Sequence, residues 1–279
     1  MSASLGRRTL AEAVGSAALV VVVVGSGIQA TELTEDVGVR LLANSLATVF
    51  GLGVLVALLG PVSGAQFNPV VTLAAWFAGR RTPDGLTRRD VAAYLPAQTA
   101  GAIGGAVLAD AMFAEPLMQW STHDRSAGHL LLGEIVATAG LVFLILGLVR
   151  TGRARYAPVA VASYIGAAYW FTSSTSFANP AVTIGRAFTD TFAGIAPASV
   201  LPFIAAQFTG AALGLALVAA VFTKPAASAT ATPAPLTAAP APPPPAAGPT
   251  PTPAPAPAPA QTGTVPVQGE PERAAPPNS

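Results

Sequence analysis

Two short stretches decide the fold, residues 68–79 (NPVVTLAAWFAG) and residues 179–190 (NPAVTIGRAFTD). Each begins with Asn-Pro, which favours a helix N-terminus because Asn caps a helix and Pro needs no amide hydrogen in the first turn. A helix of about ten residues is roughly 15 Å long, half of a hydrocarbon core of roughly 30 Å. Both stretches are therefore predicted to be half-helices that enter a bilayer without crossing it.

Long uncharged runs surround these two stretches. Only 10% of the residues are charged, against about 25% in ordinary soluble domains, so the chain is predicted to be an all-α membrane protein. Six runs approach the length that a spanning helix needs: Leu10 to Ile28, Leu41 to Leu59, Val91 to Met112, His129 to Val149, Ala157 to Phe171 and Ala198 to Val221. The first is interpreted as a retained helix rather than a signal peptide, because Glu12 lies near its start and no clear cleavage site follows it.

A change of composition near Lys224 divides the chain. Residues 225–279 contain 18 of the 27 prolines, and this segment is predicted to be a disordered, Pro/Ala-rich cytoplasmic tail without an assigned function. Residues 1–224 are predicted to form the transmembrane domain. A formal charge of +1 gives no basic surface for nucleic acid, and the absence of Cys excludes disulfides and thiol chemistry.

The basic residues of the loops set the predicted orientation. Ten Lys and Arg fall on one side of the six spans and three, Arg40, Arg125 and Arg186, fall on the other. Because loops rich in Lys and Arg stay in the cytoplasm, both termini are predicted to be cytoplasmic. The chain is expected to be a multi-pass protein of the cell (plasma or inner) membrane, with the lipid bilayer as its surroundings.

The sequence repeats itself in two halves, about residues 1–115 and 129–224. AEAVGSA at 11–17 matches GEIVATA at 133–139, the two Asn-Pro stretches match each other, and AQTAGAIGG at 97–105 matches AQFTGAALG at 206–214. Each half contains three spans, and an odd number reverses direction across the bilayer. The second half is therefore predicted to be inverted relative to the first, and its half-helix enters from the opposite face.

Opposed half-helices meet tip to tip at the midplane, where unpaired backbone N–H groups and about half a positive charge per helix concentrate. If Asn68 and Asn179 cap their own helices through their side-chain oxygens, their amide N–H groups are left to face a lumen. Glu12 and Glu134 align in the repeat and are intramembrane carboxylates, which are costly in lipid and are by default functional. Their alternative placement is at the ends of the spans, within reach of headgroup water.

These motifs resemble the aquaporin and aquaglyceroporin family, the major intrinsic proteins, over residues 10–222. The resemblance implies a right-handed bundle of six helices around two re-entrant half-helices, a pore in each protomer, and a homotetramer. It further implies that Glu12 and Glu134 orient the pore loops through backbone hydrogen bonds. The implied pore boxes are Asn68, Pro69 and Val70 in the first half, and Asn179, Pro180 and Ala181 in the second.

The sequence departs from the family pattern at two places. Val70 replaces the usual Ala of the first box, and no change of mechanism is expected from it. Val182 stands where the family usually carries the Arg of its selectivity filter, and the other filter positions are predicted near Thr48, Ala167 and Ser176, the first two to within a residue or two. Arg186 lies one helical turn beyond Val182 and is a candidate cation at the outer mouth, with pairing to Asp190 or snorkelling to the interface as the alternatives.

A filter without its Arg indicates a constriction that is wider and less polar than that of a strict water channel. The predicted function is passive conduction of water and small uncharged solutes such as glycerol, urea or neutral metalloid hydroxides such as arsenite. The alternative is an inverted-repeat secondary transporter of a small neutral solute. No catalytic motif appears, so the chain is not expected to be an enzyme, and neither a cofactor nor a metal site is predicted.

Overall fold

The structure, a computed structural model, describes residues 3–222. The predicted tail at residues 225–279 lies outside the described residues. Within the described residues eight α-helices follow one another: α1 (Leu5–Leu33), α2 (Val37–Ser63), α3 (Pro69–Gly79), α4 (Arg88–Met112), α5 (Gly128–Arg150), α6 (Ala157–Phe171), α7 (Pro180–Gly185) and α8 (Pro197–Val221). The predicted all-α fold and its two short helices are confirmed.

Five of the helices, α1, α2, α4, α5 and α8, are long and apolar enough to cross a membrane. Helix α6 has 15 residues and is about 22 Å long at 1.5 Å per residue. A 3-10 turn, Ala154–Tyr156, precedes it and extends the helical segment. The boundaries predicted for α6 coincide with those observed, whereas α1 and α2 extend several residues beyond the predicted spans.

The packing of the helices follows the repeat. Helix α1 packs mainly on α4 in the first half, and α5 packs mainly on α8 in the second, while α2 and α6 join the halves. At Gly101 and Gly105 a Cβ would collide with the carbonyl oxygens of Ala13 and Ala17 on α1. Gly210 and Gly214 face carbonyl oxygens of α5 in the same way. Close backbone approach at small residues therefore joins the main helix pair of each half.

The two half-helices are unequal. Helix α3 has 11 residues, as the predicted length of about ten requires. Helix α7 has six residues and continues as a 3-10 turn, Arg186–Phe188. The expectation of a half-helix of about ten residues is therefore corrected for the second stretch. Its α-helical part ends at Gly185, where the backbone lies against the carbonyl of Ala102 and a Cβ would approach that oxygen to 2.6 Å.

Candidate functional site

The tips of α3 and α7 meet at the two Asn residues. The Nδ2 of Asn68 donates to the carbonyl of Ala178 at 2.7 Å, and the Nδ2 of Asn179 donates to the carbonyl of Phe67 at 2.8 Å. Each Asn therefore bonds to the residue that precedes the other. This reciprocal pair of hydrogen bonds fixes the two helix ends against each other.

Both Asn side chains also cap their own helices. Oδ1 of Asn68 accepts from the N–H of Val70 at 3.0 Å, and Oδ1 of Asn179 accepts from Ala181 and Val182 at 3.0 and 3.3 Å. A side-chain amide carries two N–H groups, and the reciprocal bond uses one of them. Both residues border the cavity described below, so the second N–H is the one left for a solute.

A buried carboxylate holds the loop before α3. Glu12 is fully buried, and its position in the interior excludes the alternative placement at headgroup water. Its Oε1 accepts from the Oγ of Ser63 and the N–H of Gln66, at 2.6 and 3.0 Å. Its Oε2 accepts from the N–H of Phe67 at 2.7 Å and from the Nε2 of Gln98 at 2.8 Å.

Glu134 repeats this arrangement before α7 and is also fully buried. Its Oε1 accepts from the N–H of Phe177 at 2.8 Å, and its Oε2 accepts from the N–H of Ala178 at 2.8 Å and from the Nε2 of Gln207 at 2.7 Å. Because each carboxylate takes two successive loop N–H groups, the corresponding carbonyls are turned away from it. This geometry matches the loop-orienting role that the family resemblance implies.

Four polar residues that sequence reasoning left without a role complete the two networks. Gln98 Nε2 also donates to the Oγ1 of Thr72 on α3, and Gln207 Nε2 donates to the Oγ1 of Thr183 on α7, both at 2.9 Å. The signal was present in the sequence, because the repeat aligns the two Gln residues and the two Thr residues. Each Gln links a long helix, a half-helix and a carboxylate.

The loops held by these carboxylates have an unusual backbone. Ala65 and Phe67 have φ of 46° and 48°, and Ser176 and Ala178 have φ of 53° and 47°. Left-handed backbone at residues with a Cβ is uncommon and costs of order 1–3 kcal/mol per residue. Positive φ recurs at matching positions of the two loops, and the two Glu residues offset the cost through charge-assisted hydrogen bonds.

One cavity of about 600 Å³ passes both Asn residues. Arg155 borders one end of the cavity, the Arg155 end, and Arg186 borders the other, the Arg186 end. Apolar side chains form most of its wall, among them Leu19, Val71 and Ile165. The tips of the half-helices thus border a cavity rather than a solid plug of side chains.

Three of the four predicted filter residues border this cavity: Thr48, Ser176 and Val182. The prediction for Ala167 is wrong, because that residue is exposed on the opposite face of α6. Tyr169, two residues further on and therefore about 200° around the helix, borders the cavity instead. Its hydroxyl lies 3.1 Å from the Oγ1 of Thr48, so the Arg186 end contains an aromatic residue that sequence reasoning missed.

Arg186 lies inside the protein at its end of the cavity. It is 4% exposed, which excludes snorkelling to the interface. Its Nε donates to the carbonyl of Ala193, and its guanidinium carbon lies 3.4 Å from the ring centroid of Phe177. Within residues 3–222 the ion pairs are Arg8 with Asp90 and Arg40 with Glu35, so Arg186 forms none with Asp190.

Carboxylates near the Arg186 end are held by neutral donors. Asp190 accepts from the N–H and the hydroxyl of Thr122 at 2.7 and 3.0 Å, and the backbone hydrogen bond from Thr122 is the main cause that lowers the pKa of Asp190. Hydrogen bonds from Ser126, and then from Ser199, lower the pKa of Asp124. Both carboxyls are therefore charged at neutral pH without contacting an Arg.

Comparison with known proteins places this geometry in a family context. The profile of the family described as Major intrinsic protein matches residues 1–176. Aquaglyceroporin AqpS of Rhizobium meliloti is 50% identical over 214 residues, which cover 77% of this chain and 89% of that protein. Aquaporin Z of Brucella melitensis is 32% identical, with 68% of this chain and 86% of that protein covered.

Among solved structures, the aquaglyceroporin of Plasmodium falciparum superposes with a TM-score of 0.55 at 20% sequence identity. The superposition covers 77% of this chain and 96% of that one, and the similarity shows a shared fold. The profile match ends three residues before Asn179, so the second half of the site is assigned from the contacts described above.

Proposed function

The chain belongs to the major intrinsic protein family, and from this premise we propose that it is a passive channel for water and small uncharged solutes such as glycerol. The observation that carries the proposal is the cavity of about 600 Å³ that both Asn residues border. Its walls are mostly apolar, and the two helix tips supply hydrogen-bond donors at its centre. Such a lining favours solutes that combine hydroxyl groups with an apolar side.

The residues at the Arg186 end suggest which solutes other than water and glycerol the channel conducts. With Val182 at the family's filter position, the constriction lacks the side chain that narrows strict water channels. Urea and neutral metalloid hydroxides such as arsenite are therefore included among the proposed solutes. Thr48, Tyr169, Ser176 and Val182 would form the filter, and Arg186 would supply its cation from one turn further along.

A channel is preferred to a secondary transporter. A carrier needs ligands for a coupling ion, and no carboxylate borders the cavity within the described part of the chain. Flux that saturates, or that depends on a proton or sodium gradient, would favour the carrier. Flux that rises in proportion to the solute gradient would favour the channel.

The proposed assembly is a homotetramer in the cell membrane with both termini in the cytoplasm. Large apolar side chains of α2, such as Phe50, Val54 and Leu58, are 65–69% exposed in the single chain. They suit contact with lipid or with neighbouring subunits. Cross-linking of the purified protein and protease access from either face of the membrane test the two parts of this proposal.

A solute panel on proteoliposomes tests the channel directly. We expect stopped-flow swelling to report water, glycerol and urea flux from wild-type protein. Val182→Arg should suppress glycerol and urea flux at least about tenfold more than water flux, because an added guanidinium narrows the path. Val182→Leu adds volume without charge and is the matched control. If Val182→Arg leaves glycerol flux unchanged, Val182 is not in the filter.

A second variant tests the centre of the path. Leu at position 179 can neither cap α7 nor donate to the carbonyl of Phe67 or to a solute. Asn179→Leu should therefore lower the flux of all solutes together, unlike Val182→Arg. A selective loss of glycerol flux alone in Asn179→Leu would place Asn179 in the filter rather than at the shared centre.

A further inference from the structure

The guanidinium of Arg186 is buried and forms no ion pair within residues 3–222. A charge buried inside a protein is costly unless it is paired or hydrogen-bonded. Its Nε is bonded to the carbonyl of Ala193, and its Nη groups donate to no described residue. Because Arg186 also borders the cavity, these Nη groups remain available to a ligand at that end.

The orientation of Arg186 is fixed from two sides. The ring of Phe177 covers one face of the guanidinium at 3.4 Å, and the bond to Ala193 holds its Nε. The donors left are those of the outer fork, which offers parallel N–H groups at a spacing that fits two oxygens of one planar anion. A fixed fork of this kind binds with less loss of side-chain entropy than a mobile one.

A second arginine lies over the same ring. The guanidinium carbon of Arg125 is 5.1 Å from the ring centroid of Phe177, and its Nε donates to the carbonyl of Gly194 at 2.9 Å. Arg125 also forms no ion pair with any residue from 3 to 222. Two like charges around one ring repel each other, and a bound anion would relieve that repulsion.

The nearby carboxylates do not neutralise these arginines. Asp190 is bonded to Thr122, Asp124 to Ser126 and Ser199, and Asp110 to Thr189. Each of the three accepts from a neutral donor, and the Oδ2 of Asp110 has no hydrogen-bond partner within the described residues. Glu134, which attracts both arginines from a distance, accepts from the N–H groups of Phe177 and Ala178 and from Gln207. None of these carboxylates therefore forms an ion pair with Arg186 or Arg125.

We propose that the Arg186 end of the cavity binds a small planar oxyanion of the carboxylate or nitrate type, and that the bound anion obstructs solute flux. Arg186 holds the anion through its Nη fork, and Arg125 contributes through its charge from beyond Phe177. The binding part rests on the geometry of Arg186, and the obstruction part rests on the proposed channel function.

Nitrate is the probe, because it is planar and has no neutral form that crosses lipid at neutral pH. Isothermal titration calorimetry on the purified full-length protein, with chloride replaced by nitrate at constant ionic strength, measures binding. Wild type is expected to bind nitrate in the millimolar range. Arg186→Gln should weaken binding at least about tenfold, and Arg186→Lys should bind in between, because it keeps the charge but loses the fork.

Arg155→Gln is the matched control, since Arg155 borders the opposite end of the same cavity. It should bind nitrate as wild type does. Nitrate that binds no better than chloride, or an equal loss in Arg155→Gln and Arg186→Gln, would overturn the site. Thermal unfolding shows whether Arg186→Gln is folded. If it is not, the nitrate affinity of Arg186→Lys tests the site instead.

The obstruction is measured by swelling of proteoliposomes with nitrate or chloride on both sides. Nitrate should lower wild-type glycerol flux to about half or less, and the Arg186 variants should lose this sensitivity. Binding without inhibition would overturn the obstruction. Absent flux in chloride would instead reject the channel, and calorimetry would still report on the site.

Discussion

The two halves of the chain build the centre of the pore with nearly the same hydrogen bonds, yet they end their half-helices differently. Glu12, Gln98 and Thr72 in the first half correspond to Glu134, Gln207 and Thr183 in the second, with donor-acceptor distances of 2.7–3.0 Å in both networks. The left-handed residues before each Asn correspond as well. The centre is therefore built twice to the same plan.

The ends of the half-helices do not follow the repeat. Helix α3 continues to Gly79 and is followed by the exposed Arg80, whereas α7 stops at Gly185 and is followed by the buried Arg186. The difference indicates a division of roles. We infer that the repeated networks hold the path open and propose that the unequal ends select the solutes that enter it.

The strongest test of the shared centre removes one carboxylate at a time. Glu12→Ala leaves the N–H groups of Gln66 and Phe67 without their acceptor, and each buried unpaired donor costs about 1–3 kcal/mol. We expect a loss of about 2–6 kcal/mol in the free energy of unfolding and a matching loss from Glu134→Ala, with solute flux impaired in both. Denaturant unfolding in detergent measures the loss, and Glu32→Ala at an exposed carboxylate is the control. Unequal losses would break the equivalence of the halves.

A smaller effect is expected from the close helix contacts. Gly101→Ala and Gly210→Ala would push a methyl group into carbonyl oxygens of α1 and α5, and overpacking of this kind costs about 1–3 kcal/mol. The control is Gly104→Ala, because a Cβ at Gly104 meets nothing within 4 Å. Thermal unfolding should show both packed variants destabilised and the control unchanged or stabilised. A destabilised Gly104→Ala would indicate that the loss of stability comes from placing Ala in the helix itself and not from contact with the neighbouring helix.

The smallest expected effect is a pH dependence of stability that comes from the segment after α7 and not from the segment after α3. The pKa of Asp190 is lowered in the folded protein, so its contribution to stability is present above the unfolded value of about 3.9 and is lost as the pH falls through the folded pKa. The melting temperature should stay level from about pH 7 to 5 and decrease below about pH 4. Asp190→Asn should reduce that decrease without abolishing it, because Asp124 contributes in the same direction.

The exposed Asp84, which has no side-chain hydrogen bond within the described residues, supplies the control Asp84→Asn. It lies after α3, in the half where Gly79 stands at the position equivalent to Asp190. An equal change of the pH profile in both variants would mean that acid sensitivity is not specific to the segment that follows α7.

The sequence by itself determined the half-helices, the spans and the inverted repeat. The signals are local or periodic: Asn-Pro at a helix start, uncharged runs of spanning length, and matched motifs. They depend on the order of residues along the chain and not on how the helices pack. The two buried Glu residues were found for the same reason, since a carboxylate within an apolar run needs donors wherever it packs.

Tertiary structure alone decided the contacts across the cavity. Sequence spacing placed Ala167 in the filter, but a shift of two residues on α6 moves a side chain to the other face of the helix, and Tyr169 borders the path instead. The reciprocal bonds of Asn68 and Asn179, and the burial of Arg186 against Phe177, join residues from opposed halves or from separate turns. Such contacts depend on how helices rotate and approach one another, which no local pattern specifies.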